Sequence, residues 1–403
     1  MSKLQKSTEL AIDGGRPVRG TMLPYGRHAV TNEDVEKVTS VLKSDWLTTG
    51  PRVEAYERAV ADFVGTAEAV AVSSGTAALH TAVHEAGIGP GDEVIVPAIT
   101  FAATANCVLY AGGTPIFADV SPETLNIDPR GVASKITPRT KAILPVDYAG
   151  QPADLDAIRE LADEHGLVVI EDAAQALGAT YKGKRVGGIS ELTTFSTHPV
   201  KQVATGEGGI IVTNDSDAAK RMRAFRNHGI TTDARQRLKS GTWTYEQQDL
   251  GYNYRLPDIL CALGESQLAR LDELNRQRRE LAAAYTRALS DVPSVSPLKV
   301  EADRESAWHL YVVQLELERL TADRRIIFDA LRAENIGVHV HYIPVYWHPH
   351  YERLGYMRGL CPAAEAAYDR ILTLPLFPAM ADEDVRDVVA ALRKVLTSFG
   401  GTS

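Results

Sequence analysis

The chain has 403 residues, 44% hydrophobic and 24% charged, a globular balance that excludes disordered, collagenous and coiled-coil chains. Its 43 Lys and Arg against 52 Asp and Glu leave a net charge of −9, which argues against a nucleic-acid footprint. Cys107, Cys261 and Cys361 are too few, and odd in number, for a disulfide framework. No apolar run reaches the roughly 18 residues of a membrane span, and the polar first 20 residues carry no signal-peptide core. The expectation is a soluble cytoplasmic protein, with residues 1–6 a disordered segment or a start-site extension.

From residue 68 to 214, short Val- and Ile-rich runs alternate with helical stretches. The runs are 69–73, 93–97, 115–119, 142–146, 167–171, 193–196 and 209–213, each bounded by Gly, Pro or Asp. Buried parallel strands read this way. Crossover segments such as 76–86 and 154–165 separate the first five, which predicts a doubly wound α/β sheet. The last connections are shorter, which allows a hairpin-like or mixed-direction edge. Residues 257–290 read as one long helix from the spacing of Leu260, Leu263, Leu268, Leu271 and Leu274. An alternating run at 308–317, a helix at 324–334, a strand at 337–343 and a helix at 381–399 follow. The division expected is a large α/β domain with an N-terminal arm, 1–256, and a small α+β domain, 257–403.

Three motifs carry chemistry. Ser73-Ser74-Gly75-Thr76 follows a strand and opens a helix, where free N–H groups and the dipole can hold a phosphate. Taken alone it reads more readily as an ordinary N-cap. Asp172, in Glu171-Asp172-Ala173-Ala174-Gln175, ends an apolar strand, the place where ligands bind in open α/β sheets. Lys201 lies 29 residues further on, in a turn of apolar and small residues. Lysines desolvated in this way lose basicity and form Schiff bases. Gly206, Gly208 and Gly209 lack the Walker spacing, so nucleoside triphosphate binding is a poor reading. Together the parts suit pyridoxal 5′-phosphate, which becomes pyridoxamine 5′-phosphate during turnover. Lys201 would form the Schiff base, Asp172 would pair with the ring nitrogen, Gly75, Thr76 and Ser196 would hold the phosphate, and Phe101 would stack on the ring.

These residues resemble the DegT/DnrJ/EryC1/StrS sugar aminotransferases, of pyridoxal-phosphate fold type I (aspartate aminotransferase-like). The motifs occur in family order across nearly the whole chain: Ser74-Gly75-Thr76, Glu171-Asp172-Ala173-Ala174-Gln175, Ser196 before Lys201, and Gly251-Tyr252-Asn253-Tyr254-Arg255. The resemblance implies that Gln175 meets the cofactor's ring hydroxyl. It also implies that Asn253 reaches the phosphate of the other subunit, making a homodimer with shared sites. Thr48, His198, Tyr254, His341 and Tyr342 would face the substrate. Within the family the chain looks most like the transaminases of pseudaminic acid biosynthesis, through Tyr245–Arg255, Ala307–Tyr311 and His341–Val345 among others. Those enzymes aminate C4 of UDP-2-acetamido-2,6-dideoxy-β-L-arabino-hex-4-ulose with L-glutamate as donor; another UDP-, dTDP- or GDP-linked keto sugar is the alternative. Gln175 stands where that subgroup more often has His, Thr197 replaces a usual aromatic residue, and Ala204 a usual Thr. Related dehydratases carry histidine in place of the lysine, which Lys201 opposes. A rival from another class is a metal site formed by His339, His341, His348 and His350, two His-x-His pairs; no cysteine or carboxylate of the usual kind accompanies them, and the expectation is no metal. Arg226 and Arg255 are the candidates for clamping the donor's carboxylate.

Overall fold

A computed structural model describes residues 9–400, so the expectation for residues 1–6 lies outside the described residues. All seven strand runs form and join in one sheet. They are β1 (Glu68–Val72), β2 (Glu93–Pro97), β3 (Thr114–Ala118), β4 (Thr140–Ile143), β5 (Val168–Asp172), β8 (Leu192–Ser196) and β9 (Gly209–Thr213). The order is β1-β9-β8-β5-β4-β2-β3. Two-residue strands β6 (Thr180–Tyr181), β7 (Lys184–Arg185) and β11 (Arg304–Glu305) make a small separate sheet.

Strand β9 runs antiparallel to both β8 and β1, and the other adjacent pairs are parallel. The cause is the link between β8 and β9, residues 197–208, which contains no helix to carry a crossover and so returns as a hairpin. The mixed direction falls one strand inside the edge, because β1 covers β9.

Alternate side chains of each strand feed opposite faces. Val94 and Val96 pack on one face with the helices Gly75–Glu85 and Ala103–Tyr110, while Ile95 packs on the other beside the helix Leu155–His165. These side chains are fully buried, so truncating Ile95 to Ala would cost about 2–5 kcal/mol. This double coverage is why the strands read as continuous apolar runs.

The expected helix at 257–290 is two helices, Asp258–Leu268 and Leu271–Leu289. The first packs in the core of the large sheet; the second buries Leu281, Tyr285 and Leu289 in a separate C-terminal core. At the junction Arg270 leaves helical geometry (φ −107°, ψ 4°), and its guanidinium bonds the buried Asp34 at 2.7 Å. The C-terminal core surrounds an antiparallel sheet ordered β10-β12-β13, of β10 (Val295–Pro297), β12 (Tyr311–Leu315) and β13 (Ile371–Leu374). The helices Arg324–Ala333 and Asp382–Ser398 match expectation. Leu10 and Leu23 also lie in this core, so the N-terminal arm docks there.

The strand expected at 337–343 does not form. His339 makes one bridge to Thr373, and then the Val340 N–H turns to the neighbouring His339 ring at 2.8 Å, which ends the ladder. Among the described residues no helix is long and apolar enough to cross a membrane.

Candidate active site

The carboxyl edge of the large sheet collects the chemistry. Ser196 ends β8 and Asp172 ends the adjacent β5, with Asp172 registered against Thr194. Next to them, Gly75 opens an 11-residue helix whose N-cap, Ser74, accepts the Ala77 N–H at 3.1 Å. A Cβ on Gly75 would come 2.9 Å from Ser196 Cβ and 3.1 Å from its hydroxyl. Glycine therefore keeps a slot open between the first-turn amides and a serine hydroxyl. That cradle fits a phosphate.

Lys201 sits in the β8–β9 connection. The neck of this loop is closed by Thr197 N–H to Gly208 carbonyl and Thr205 N–H to Thr197 carbonyl, both 2.9 Å, and by the buried pair of Thr197 and Thr205 hydroxyls at 2.6 Å. Thr197 thus closes a loop where an aromatic residue was the usual expectation. Gln202 ties the loop to the Gln175 carbonyl at 2.6 Å. Burial lowers the Lys201 amine to about 8, with the Asp172 carboxylate drawing it partly back up. Burial pushes Asp172 up. Thr104 Oγ1 at 2.7 Å, the Ala174 N–H at 3.2 Å and the Lys201 cation pull it down. The pair has the chemistry of a Schiff-base lysine beside an acceptor for a protonated ring nitrogen.

Gln175 is buried, and its orientation is fixed. Its Oε1 accepts the Ala149 N–H at 2.8 Å, so its amide NH₂ faces outward and donates to the Tyr342 hydroxyl at 3.1 Å. The Tyr342 ring lies 6.1 Å from Phe101, which is exposed at the mouth. His341 is buried, bonds Thr373 Oγ1 at 2.9 Å and stacks on His339 at 4.5 Å. Burial, then His339 and Lys201, hold it down to about 3, so it is neutral. Thr76 lies in the first turn of the cradle helix.

Of the other predicted residues, His198 adjoins the cluster, its N–H 3.4 Å from Ser196 Oγ and its carbonyl accepting the Lys201 N–H at 2.8 Å. Thr48, His198 and Asn253 are exposed. The Tyr254 hydroxyl is engaged by His80 at 3.0 Å, and its carbonyl accepts the Ser73 N–H at 2.7 Å, which ties it behind the cradle helix. Both arginine candidates are engaged: Arg226 pairs with Glu57 and with the Ala71 carbonyl at 2.6 Å, and Arg255 donates to Asn227 at 2.8 Å. They border a cavity of about 470 Å³ that does not include Lys201 or Asp172. The four C-terminal histidines do not converge: His348 caps the helix Pro349–Arg353 and His350 lies on it, away from the stacked His339–His341 pair. Among the described residues no group of three or more His, Cys, Asp or Glu side chains is arranged to hold a metal.

Two participants were not singled out from the sequence. Thr104 holds Asp172, and its only signal is a helical spacing from Thr100. His309 is buried with an unpartnered Nδ1. Burial first, then Lys201, Arg278, His341 and His198, hold its ring neutral.

A cofactor-binding sheet edge with a phosphate cradle, a desolvated lysine and a buried aspartate defines a pyridoxal-phosphate enzyme of fold type I. Comparison with known proteins agrees. The DegT/DnrJ/EryC1/StrS aminotransferase family matches residues 28–393. The spore coat polysaccharide biosynthesis protein SpsC of Bacillus subtilis is 44% identical over 94% of this chain and 98% of its own. Helicobacter pylori PseC, an aminotransferase involved in the biosynthesis of pseudoaminic acid, is 33% identical, with a TM-score of 0.88 over 94% of this chain and 100% of its own. The putative sugar aminotransferase Spr1654 of Streptococcus pneumoniae, solved in a PLP form, is 30% identical, with a TM-score of 0.87 over 94% of this chain and 99% of its own. Its PMP form gives a TM-score of 0.88 at 30% identity, over 93% and 99% of the two chains. The chain belongs to the DegT/DnrJ/EryC1/StrS family and is a pyridoxal-phosphate-dependent sugar aminotransferase.

Proposed function

We propose that the enzyme transfers an amino group from L-glutamate to C4 of a nucleotide-linked 4-keto-6-deoxy sugar. The first candidate substrate is UDP-2-acetamido-2,6-dideoxy-β-L-arabino-hex-4-ulose. The observation that carries the chemistry is Lys201, buried in a closed loop beside the Asp172 carboxylate and next to the open Gly75–Ser196 cradle.

Bound pyridoxal phosphate supplies an aldehyde for amine exchange and a ring that withdraws electrons from the carbon being deprotonated. The chain's own groups do the rest. The Gly75–Thr76 helix start and Ser196 hold the phosphate. Asp172, as a carboxylate, would face the ring nitrogen. Gln175 presents its NH₂ to the ring hydroxyl. Lys201, with its amine at about 8, is partly unprotonated at neutral pH, so it could hold the cofactor and, once free, would take the proton from the donor's Cα in one half of the reaction and deliver a proton to the sugar's C4 in the other.

The likeness to PseC supports the acetamido sugar. The higher identity to SpsC favours a second reading, in which the product is an amino sugar of a surface polysaccharide. We infer a cytoplasmic setting, where nucleotide-linked sugars and L-glutamate would both reach the enzyme. We also infer a homodimer. Asn253 is exposed, and it ends an excursion whose Trp243 and Leu250 are 86% and 71% exposed, apolar area for a second copy to cover.

The test is incubation with UDP-, dTDP- and GDP-linked 4-keto sugars plus glutamate, with mass detection of the amino sugar. Turnover of the UDP acetamido substrate well above dTDP-4-keto-6-deoxyglucose is expected. Equal or better turnover of the dTDP sugar would overturn the first candidate and leave the aminotransferase standing.

A further inference from the structure

The connection after β2 brings two threonines to the floor of the site. Thr100 and Thr104 are both buried, and their hydroxyls lie 2.7 Å apart. Thr104 Oγ1 is also 2.7 Å from Asp172 Oδ2. A hydroxyl has one proton, and an ionised carboxylate only accepts. Thr104 therefore donates to Asp172, and Thr100 must donate to Thr104. The order Thr100 to Thr104 to Asp172 follows without any choice of rotor. The other oxygen, Oδ1, receives the Ala174 N–H at 3.2 Å. Thr104 is thereby the side-chain donor on one carboxylate oxygen, and its bond is the shorter of the two.

The surroundings make that donor matter. Asp172 is buried, and the titratable groups that face it are Lys201, Cys107, Tyr342 and Asp147, with Glu171 bonded to Asp147 behind it. Lys201 is the one cation among them. Without donors, a carboxylate in this position takes up a proton and loses its charge.

We propose that Thr104, backed by Thr100, is a positioning residue that fixes the direction and charge of Asp172 toward the ring nitrogen of the cofactor. The inference rests on the reading that Asp172 faces that nitrogen. Thr104 touches neither cofactor nor substrate; it acts through Asp172. Loss of its hydroxyl weakens the hold of Asp172 on a protonated ring nitrogen. The ring then withdraws electrons less strongly, and the nitrogen joining Lys201 to the cofactor becomes more basic.

The experiment compares cofactor-loaded wild type with Thr104→Val, Thr104→Ser, Thr100→Val and Asp172→Asn. Four quantities are read: the pH midpoint of the cofactor's visible absorption band, the Kd of the apo-protein for pyridoxal phosphate, and kcat and KM with glutamate. Thr104→Val, which keeps the shape and removes the hydroxyl, should raise the midpoint by about one pH unit and lower kcat roughly tenfold, with KM within about twofold. It should also loosen cofactor binding. Thr104→Ser should restore the wild-type midpoint. Thr100→Val, which leaves Thr104 in place, should move the midpoint the same way by less, and it carries the test if Thr104→Val fails to fold. If Asp172→Asn moves the midpoint and neither threonine variant does, the inference is overturned. If Asp172→Asn itself leaves the band unmoved, the reading of Asp172 falls first.

Discussion

The floor of the site and the excursion at residues 228–253 meet opposite conditions. On the floor, Asp172 is 4% exposed, and each of its carboxylate oxygens has a donor. On the excursion, Trp243, Leu250, Leu238 and Tyr245 stand in solvent, and Asn253 with them. Buried polar groups are as a rule hydrogen-bonded, and the Asp172 carboxylate has its donors within this one chain. Exposed aromatics carry no such closure. The cofactor side of the site is thus specified by this chain alone, and the proposed outer side by what covers it.

The largest expected effect is on the floor. Asp172→Ala removes the charge proposed to face the ring nitrogen, and kcat should fall by on the order of 10³ or more while the protein stays folded. A loss under about tenfold, measured in steady state with glutamate, would break the contrast at its strongest point.

On the excursion, Lys201→Ala and Asn253→Ala chains should each be inactive or nearly so. A mixed dimer holds one site with both lesions and one with neither, so mixing and refolding the two should recover activity. Absence of recovery from two inactive variants would place Asn253 at its own protomer's site and remove the asymmetry.

A third effect is graded with pH. Burial holds the Lys201 amine near 8, and only the unprotonated amine attacks the cofactor's aldehyde. The rate at which apo-protein takes up pyridoxal phosphate should rise about tenfold per pH unit below 8 and level off above it. Stopped-flow absorbance checks this; a plateau reached only above pH 10 would show an unperturbed, solvated lysine.

The smallest effect concerns the layer beneath the floor. Asp147 and Glu171 are fully buried, and each shifts the other's titration. Asp147 Oδ1 takes the Ala153 N–H, while Glu171 Oε2 takes Ser190 and Thr193 hydroxyls. The remaining oxygens, Asp147 Oδ2 and Glu171 Oε1, are buried and receive no N–H or O–H from the rest of the chain, so a proton shared between the two carboxyl groups is the expected arrangement. Burial and the neighbouring carboxyl raise Asp147 well above the usual range, and Glu171 is raised as well. Groups raised in the fold contribute stability that is complete below their unfolded values, near pH 4, and lost as pH rises through the folded ones. Asp147→Asn supplies a permanent donor. It should flatten the decline of the urea midpoint between pH 5 and pH 9, by on the order of 1 kcal/mol at the alkaline end. An unchanged slope would mean that the pair holds no shared proton.

The same division decides what the sequence could tell. The seven strands were legible because both sheet faces are covered, and Val94, Ile95 and Val96 therefore repeat without a polar interruption. Lys201 was legible because a lysine in a turn of small and apolar residues has no solvated face to explain it. The break at Ala269–Arg270 was not, since the leucine period runs on while the packing partner changes from one core to the other. The 337–343 segment alternates like a strand but loses its ladder to the His339 ring. Thr104 left no mark, because a threonine that fixes a distant carboxylate looks like any other threonine in a helix's first turns. Arg226 looked available until its pairing with Glu57 was seen.

The central claim is that Lys201 is the lysine that bonds the cofactor. The most direct measurement is borohydride reduction of the pyridoxal-phosphate-loaded protein, followed by proteolysis and peptide mass spectrometry. The account predicts one stoichiometric phosphopyridoxyl group, on Lys201. A label on another lysine, or none in protein that shows the cofactor's absorption band, would contradict it.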